Sequence, residues 1–322
     1  MALRTEAQTL AHLRSVGGGP FFAMRLWAHR THLAGLLTLA AVAACARGER
    51  TAAQRGVAIT DDAGRRVTLA APARRIVSLS PAITELLFAL GAGDRVVGRT
   101  TWCDYPPAAE AVPNVGDGLN PNVEAVAARH PDLVVLYPSQ VNETAARQLE
   151  RLGIAAVVVR QDRLQDVARA ARLLGFLTGR EAAGDSIAGV ISRGMAAPAA
   201  PLGTRLAVVV WDNPPMVIGG GSYLDELATL AGAENVFRDV RSASATVALE
   251  TIATRDPDVI VLLRDTASSE PPRIARRPEW QAIRAVRERR FVQLTGSLFG
   301  RPGPRAAAAV AEVRRLLREV GR

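Results

Sequence analysis

One thirteen-residue pattern occurs twice in this chain, and it constrains the fold more than any other feature. Residues 124–136 read Glu-Ala-Val-Ala-Ala-Arg-His-Pro-Asp-Leu-Val-Val-Leu, and residues 250–262 read Glu-Thr-Ile-Ala-Thr-Arg-Asp-Pro-Asp-Val-Ile-Val-Leu. Each copy reads as a short helix opened by Glu, stopped where proline cannot continue it, and followed by a buried strand. A unit repeated once at that distance implies two similar α/β lobes, because solenoids need short periods and several copies. Two similar lobes have a cleft between them, and a cleft can grip a ligand.

The N-terminal segment carries a targeting signal. Arg25, His29 and Arg30 precede an apolar run from Leu33 to Ala44 that ends Val42-Ala43-Ala44-Cys45. A basic segment, a short apolar run and small residues before a cleavage point make a signal peptide, too short to remain as a spanning helix. Residues 1–44 are therefore expected to be removed, with translation starting at Met24. The cysteine directly after the small residues resembles a bacterial lipobox. Lipidation of Cys45 is expected, with stable anchoring through two or more acyl chains. Residues 45–56 are small, polar and charged, and read as the lipidated tether.

The formal net charge is +9, and every basic residue is arginine. The arginines are scattered rather than striped, which reads as compositional bias; a nucleic-acid partner is not expected. Cys103 is the one thiol besides Cys45, so no intramolecular disulfide is expected. His130 is the one histidine beyond the signal, which excludes a site holding a bare transition metal through several imidazoles. No metal site and no catalytic constellation is expected: there is no Gly-x-Ser-x-Gly, and Cys103 would have to find His130 from an unrelated loop. The chain is read as a binding protein and not an enzyme.

Hydrophobic patterning divides the rest into an N-terminal α/β lobe (57–179), a bridging helix (180–198) and a C-terminal α/β lobe (199–322). Val57–Leu69 reads as a hairpin turning at Asp61–Gly64. Strands are expected at 76–79, 95–99, 133–137, 155–159, 206–211 and 291–294, and a helix around Glu279–Val286. Alternation of strands with helices argues for parallel or mostly parallel sheets.

In open α/β sheets ligands sit beyond the carboxyl ends of the strands. Trp102, Tyr137 and Trp211 fall there, as do Leu298 and Phe299, with Arg301 just behind. A flat, aromatic-lined cleft suits a large, rigid, partly apolar ligand. The run Gly219-Gly220-Gly221 before a helix reads either as an anion cradle of free N–H groups or as a tight turn with Ser222 as N-cap. Arg99, Arg241 and Arg301 are further candidates for an anionic ligand group.

These residues together resemble a known family. Ile76-Val77-Ser78-Leu79-Ser80-Pro81-Ala82-Ile83-Thr84-Glu85-Leu86 is similar to the opening of the cobalamin and ferric-siderophore substrate-binding proteins of bacterial ABC importers. Val97-Gly98, Cys103-Asp104-Tyr105-Pro106-Pro107, the Asn-x-Glu of 122–124, Pro131-Asp132-Leu133-Val134 and Asn213-Pro214-Pro215 continue the match over roughly residues 57–320. The resemblance implies two Rossmann-like lobes joined by one long helix, with limited hinge motion, acting outside the cytoplasm as a monomer. It implies that Glu124 and Glu250 dock on arginines of a permease dimer served by a cytoplasmic ATPase. No cofactor is implied; a corrinoid or an iron–siderophore enters as transported cargo. The likeness is greatest to the cobalamin receptors, where Trp102 and Tyr137 fall at aromatic contacts with the corrin. Trp211, Phe299 and Arg301 are expected to complete the site. Haem, a further alternative on this fold, is disfavoured by the lack of an axial histidine; a two-lobed sensor that docks without transport is the alternative of a different class. Where some cobalamin receptors carry tryptophans, this chain has Gly118 and Ser244, which implies a roomier cleft.

Overall fold

The computed structural model describes residues 56–264 and 271–320; the expected signal peptide, Met24 and Cys45 lie outside them. The first element is a hairpin of β1 (Val57–Thr60) and β2 (Arg66–Leu69), paired antiparallel. The Asp61 carboxylate closes its turn, accepting from the N–H groups of Ala63 and Arg65 at 3.0 and 2.8 Å.

The first lobe is built on β3 (Ile76–Ser78), β4 (Val96–Arg99), β5 (Leu133–Leu136) and β6 (Ala155–Val158), all parallel in the order β4-β3-β5-β6. The second contains β7 (Arg205–Asp212), β8 (Pro215–Ile218), β9 (Glu234–Asn235), β10 (Ser244–Thr246), β11 (Val259–Arg264) and β12 (Phe291–Thr295). Its order is β10-β8-β7-β11-β12, with β9 also pairing with β7. The β7, β11 and β12 strands are parallel, while β8 runs antiparallel to both its neighbours, β7 and β10. The second sheet is therefore mixed, because β8 returns directly on β7 through the tight Asn213-Pro214 connection. The expected helix at 279–286 is instead a 3₁₀ segment, Pro278–Ala282, which carries the fully buried Trp280, and a single helical turn, Arg284–Arg287.

The repeated pattern has a mechanical meaning. Its helices are Val123–Ala127 and Leu249–Arg255. The residue six after each Glu takes the left-handed conformation, His130 at φ 47° and Asp256 at φ 42°, and proline follows. The next aspartate then turns back on the start of its lobe's first strand. Asp132 accepts from the N–H groups of Arg74 and Arg75 at 2.8 and 3.0 Å, and Asp258 accepts from that of Arg205 at 2.9 Å. In return the Arg75 guanidinium donates to the carbonyls of His130 and Arg129, and that of Arg205 to the carbonyls of Asp256 and Arg255. Each copy thus satisfies the open carbonyls at a helix end and sets the register of a strand.

The strand residues alternate between two cores, as a period of two requires. Ile76, Leu133, Val135, Leu206, Val208, Val259 and Val261 belong to one cluster that runs through both lobes. Val77, Val134 and Leu136 face a separate core of the first lobe, and Ala207, Val209, Ile260 and Leu262 one of the second. The shared cluster is continued by three helices, Leu164–Thr178, Glu181–Ala196 and Ala306–Val320. The middle one is the connector, about 24 Å long at 1.5 Å per residue. Gly184 lets it lie against the preceding helix, since a Cβ there would sit 2.5 Å from the Ala171 carbonyl oxygen.

Candidate functional site: an aromatic cleft between the lobes

A cleft of about 590 Å³ opens where the carboxyl ends of both sheets face each other. The first lobe contributes Ser80 after β3, Trp102 after β4, Tyr137 after β5, and Gln161 and Asp162 after β6. The second contributes Tyr223 at a helix start, Leu263 near the end of β11, and Phe299 and Arg301 after β12. Trp102 is 60% exposed and lines the cleft, whereas Phe299 is buried as part of its floor.

Tyr137 is held in place by its hydroxyl, which donates to Asp162 Oδ1 at 2.5 Å. Burial, followed by that hydrogen bond to a carboxylate, pushes its pKa up to about 12, so it remains a neutral donor at physiological pH. Tyr223 is buried, and its hydroxyl has no hydrogen-bond partner among the described residues. Burial and the neighbouring Glu85 charge push its pKa upward too.

Behind Phe299 the lobes are joined by charge. Glu85, buried in the helix Pro81–Ala89, accepts two hydrogen bonds from Arg305 of the second lobe, at 2.8 and 2.7 Å. Arg305 also stacks over the Tyr105 ring, 3.7 Å from its centre. Arg301 pairs across the cleft mouth with Asp104 and stands 3.8 Å from Glu85. On the other side, Arg163 and Glu226 form an ion pair across the lobes at 2.8 Å, and Glu226 also accepts from the Leu164 N–H. Both charged residues of the cleft wall meet an opposite charge: Arg301 has Asp104, and Asp162 has Arg160 at 3.3 Å.

The structure brings Trp102, Tyr137, Phe299 and Arg301 to one cleft but leaves Trp211 outside its lining. Trp211 lies in a bulged part of β7 opposite β8 and lines a separate depression of about 150 Å³. Two of the three N–H groups of the glycine run are engaged within the protein. The N–H groups of Gly219 and Gly220 donate to the carbonyls of Ala243 and Val240, and a Cβ on Gly220 would sit 2.1 Å from the Arg238 carbonyl oxygen. Close backbone packing explains the glycines, with Ser222 as N-cap accepting from the Asp225 N–H. Arg99 is committed to the carbonyls of Ala109, Val112, Glu110 and Thr100. Arg241 is exposed and does not line the cleft. Neither Gly118 nor Ser244 lines it either; Gly118 is pressed on the Leu79 carbonyl, so a side chain there has no room.

Sequence reasoning missed Gln161, Asp162 and Tyr223. The same strand-end rule, applied after β6, points to Gln161 and Asp162, but not to Tyr223, which begins the helix that follows the antiparallel β8. Glu124 and Glu250 are both exposed in the first turns of their short helices. Cys103 is fully buried against the hydroxyls of Thr84 and Thr100. Among the described residues no group of three or more His, Cys, Asp or Glu side chains is arranged to hold a metal ion.

Comparison with known proteins agrees with this architecture. The chain is 28% identical over 272 residues to the uncharacterized ABC transporter substrate-binding lipoprotein YvrC of Bacillus subtilis, covering 80% of this chain and 84% of that protein. It is 25% identical over 247 residues to the vitamin B12-binding protein of Vibrio parahaemolyticus, covering 75% and 88%. The crystal structure of the periplasmic vitamin B12-binding protein BtuF of Vibrio cholerae superposes with a TM-score of 0.63 at 25% identity, over 78% of this chain and 99% of that one. The periplasmic binding protein profile matches residues 76–298, and the chain belongs to that family.

Proposed function

We propose that the protein is a lipid-anchored, extracytoplasmic receptor of an ABC importer that captures a corrinoid and presents it, as a monomer, to a permease dimer. The observation that carries this reading is the composition of the cleft. Aromatic side chains from both lobes line it, and its two charged wall residues are already paired. Such a wall suits a large, flat cargo of low net charge, because an anionic cargo would need cations not already engaged. Trp102 and Tyr137 would pack on the cargo, with Phe299 beneath it and Arg301 as a polar contact. Glu124 and Glu250, exposed at equivalent places of the two lobes, would dock on the permease. A carboxylate in a first turn also complements the helix dipole, by about 0.3–1 kcal/mol, and the two roles are compatible.

Calorimetric titration of the detergent-purified full chain with cyanocobalamin, a ferric hydroxamate and a ferric catecholate tests the cargo. Sub-micromolar binding of cobalamin and none of the siderophores is the expected result. Binding of a siderophore alone would overturn the corrinoid reading.

A further inference from the structure

The depression beside Trp211 has features that the main cleft does not use. It is formed where β7 and β11 part beyond their last paired residues, Val209 and Leu262, and the buried Pro272 helps to wall it. Leu263 lines both this depression and the main cleft, so the two are neighbours. Trp211 is 61% exposed, yet its indole is fixed, because Nε1 donates to the Asn213 carbonyl at 2.8 Å. The polar edge of the ring is thereby engaged and its faces are left for stacking. Arg264 and Arg273 stand around it, and the one acidic lining residue, Asp212, lies 3.8 Å from Arg277. A volume of about 150 Å³ matches one aromatic ring, since an engineered cavity of that size holds benzene.

We propose that Trp211, Arg264 and Arg273 form a second subsite that receives an arm of the cargo ending in an aromatic ring with an anionic group beside it. The inference rests on the corrinoid reading, under which that arm is the nucleotide arm, with its heteroaromatic base and its phosphate. A corrinoid overfills a cleft of about 590 Å³, so its periphery must rest on surfaces beyond the cleft. The base stacks on Trp211 and the phosphate meets the two guanidinium groups, the planar donors suited to phosphate. Trp211 then sets specificity for a complete corrinoid over a truncated one, while Trp102 and its neighbours grip the ring common to both.

The test uses the detergent-purified full chain, its Trp211→Ala and Arg273→Ala variants, and two probes: cyanocobalamin, and dicyanocobinamide, which keeps the corrin ring but lacks the nucleotide arm. The wild type is expected to prefer cobalamin. Trp211→Ala is expected to weaken cobalamin about tenfold or more and to leave cobinamide within about twofold, a result that also reports an intact fold. Arg273→Ala is expected to weaken cobalamin selectively and to a smaller extent. Equal effects of Trp211→Ala on both probes, or none on either, would overturn the subsite and leave the corrinoid reading standing. Failure of the wild type to bind either probe would overturn both.

Discussion

Arg305 and Glu85, 220 positions apart, form a two-pronged ion pair that fastens the second lobe to the first directly behind the cleft. Glu85 is held within the first lobe by a helix packed on the shared core, and Arg305 sits just before the C-terminal helix of the second. With Arg163–Glu226 on the other flank and Arg301–Asp104 across the cleft mouth, ion pairs tie the lobes, which also share one apolar cluster. Opening the cleft widely would separate buried charges and expose apolar surface, so the energetics favour small hinge motions.

Arg305→Ala is expected to destabilise the protein substantially. Breaking a buried pair costs about 3–5 kcal/mol, and the effect here should lie at or below the low end because the Arg305 side chain is 22% exposed. Denaturant unfolding measures it. A loss below about 0.5 kcal/mol would mean that the pair contributes no more than an exposed salt bridge.

The pair also has a pH signature. Burial pushes the Glu85 pKa up, and the hydrogen bonds and charge of Arg305, then the charge of Arg301, pull it only part of the way back. As pH rises past the ordinary carboxyl value of 4.5, the unfolded chain releases the Glu85 proton first. The folded chain keeps it longer, so stability from this group is lost as pH climbs towards the folded value. Glu85→Gln removes that term. The melting temperature of the wild type minus that of Glu85→Gln should therefore fall between pH 4 and neutrality. A difference that grows with pH would show that the guanidinium groups outweigh burial.

Trp102→Ala is expected to weaken cargo binding by about tenfold or more, since a central aromatic anchor can carry about 2 kcal/mol. Because Trp102 is mostly exposed, the melting temperature without cargo should barely change. An unaltered affinity in the titration would remove Trp102 from the site.

Glu124→Ala combined with Glu250→Ala is expected to abolish uptake in cells while leaving cargo affinity unchanged. Both carboxylates are exposed and lie outside the cleft lining. Normal uptake of labelled cargo by the double variant would rule out docking through these residues.

Much of this molecule is legible one segment at a time. The duplicated Glu…Pro-Asp pattern predicts two α/β lobes, because proline stops a helix and a run of β-branched residues buries as a strand wherever they occur. The strand-end rule likewise selects Trp102, Tyr137, Phe299 and Arg301. What the pattern does not carry is the partner of each group. Nothing local says that Asp132 and Asp258 reach back to Arg75 and Arg205, that Glu85 meets Arg305, or that Gly220 exists to admit the Arg238 carbonyl. Trp211 shows the same limit: its position at the end of a strand is legible in the sequence, but only the structure shows it beside a bulge opposite β8, lining a neighbouring depression. Periodicity and chain stops act between near neighbours and so survive in the sequence, whereas contacts between distant residues, and the shape they leave open, arise only when the lobes pack.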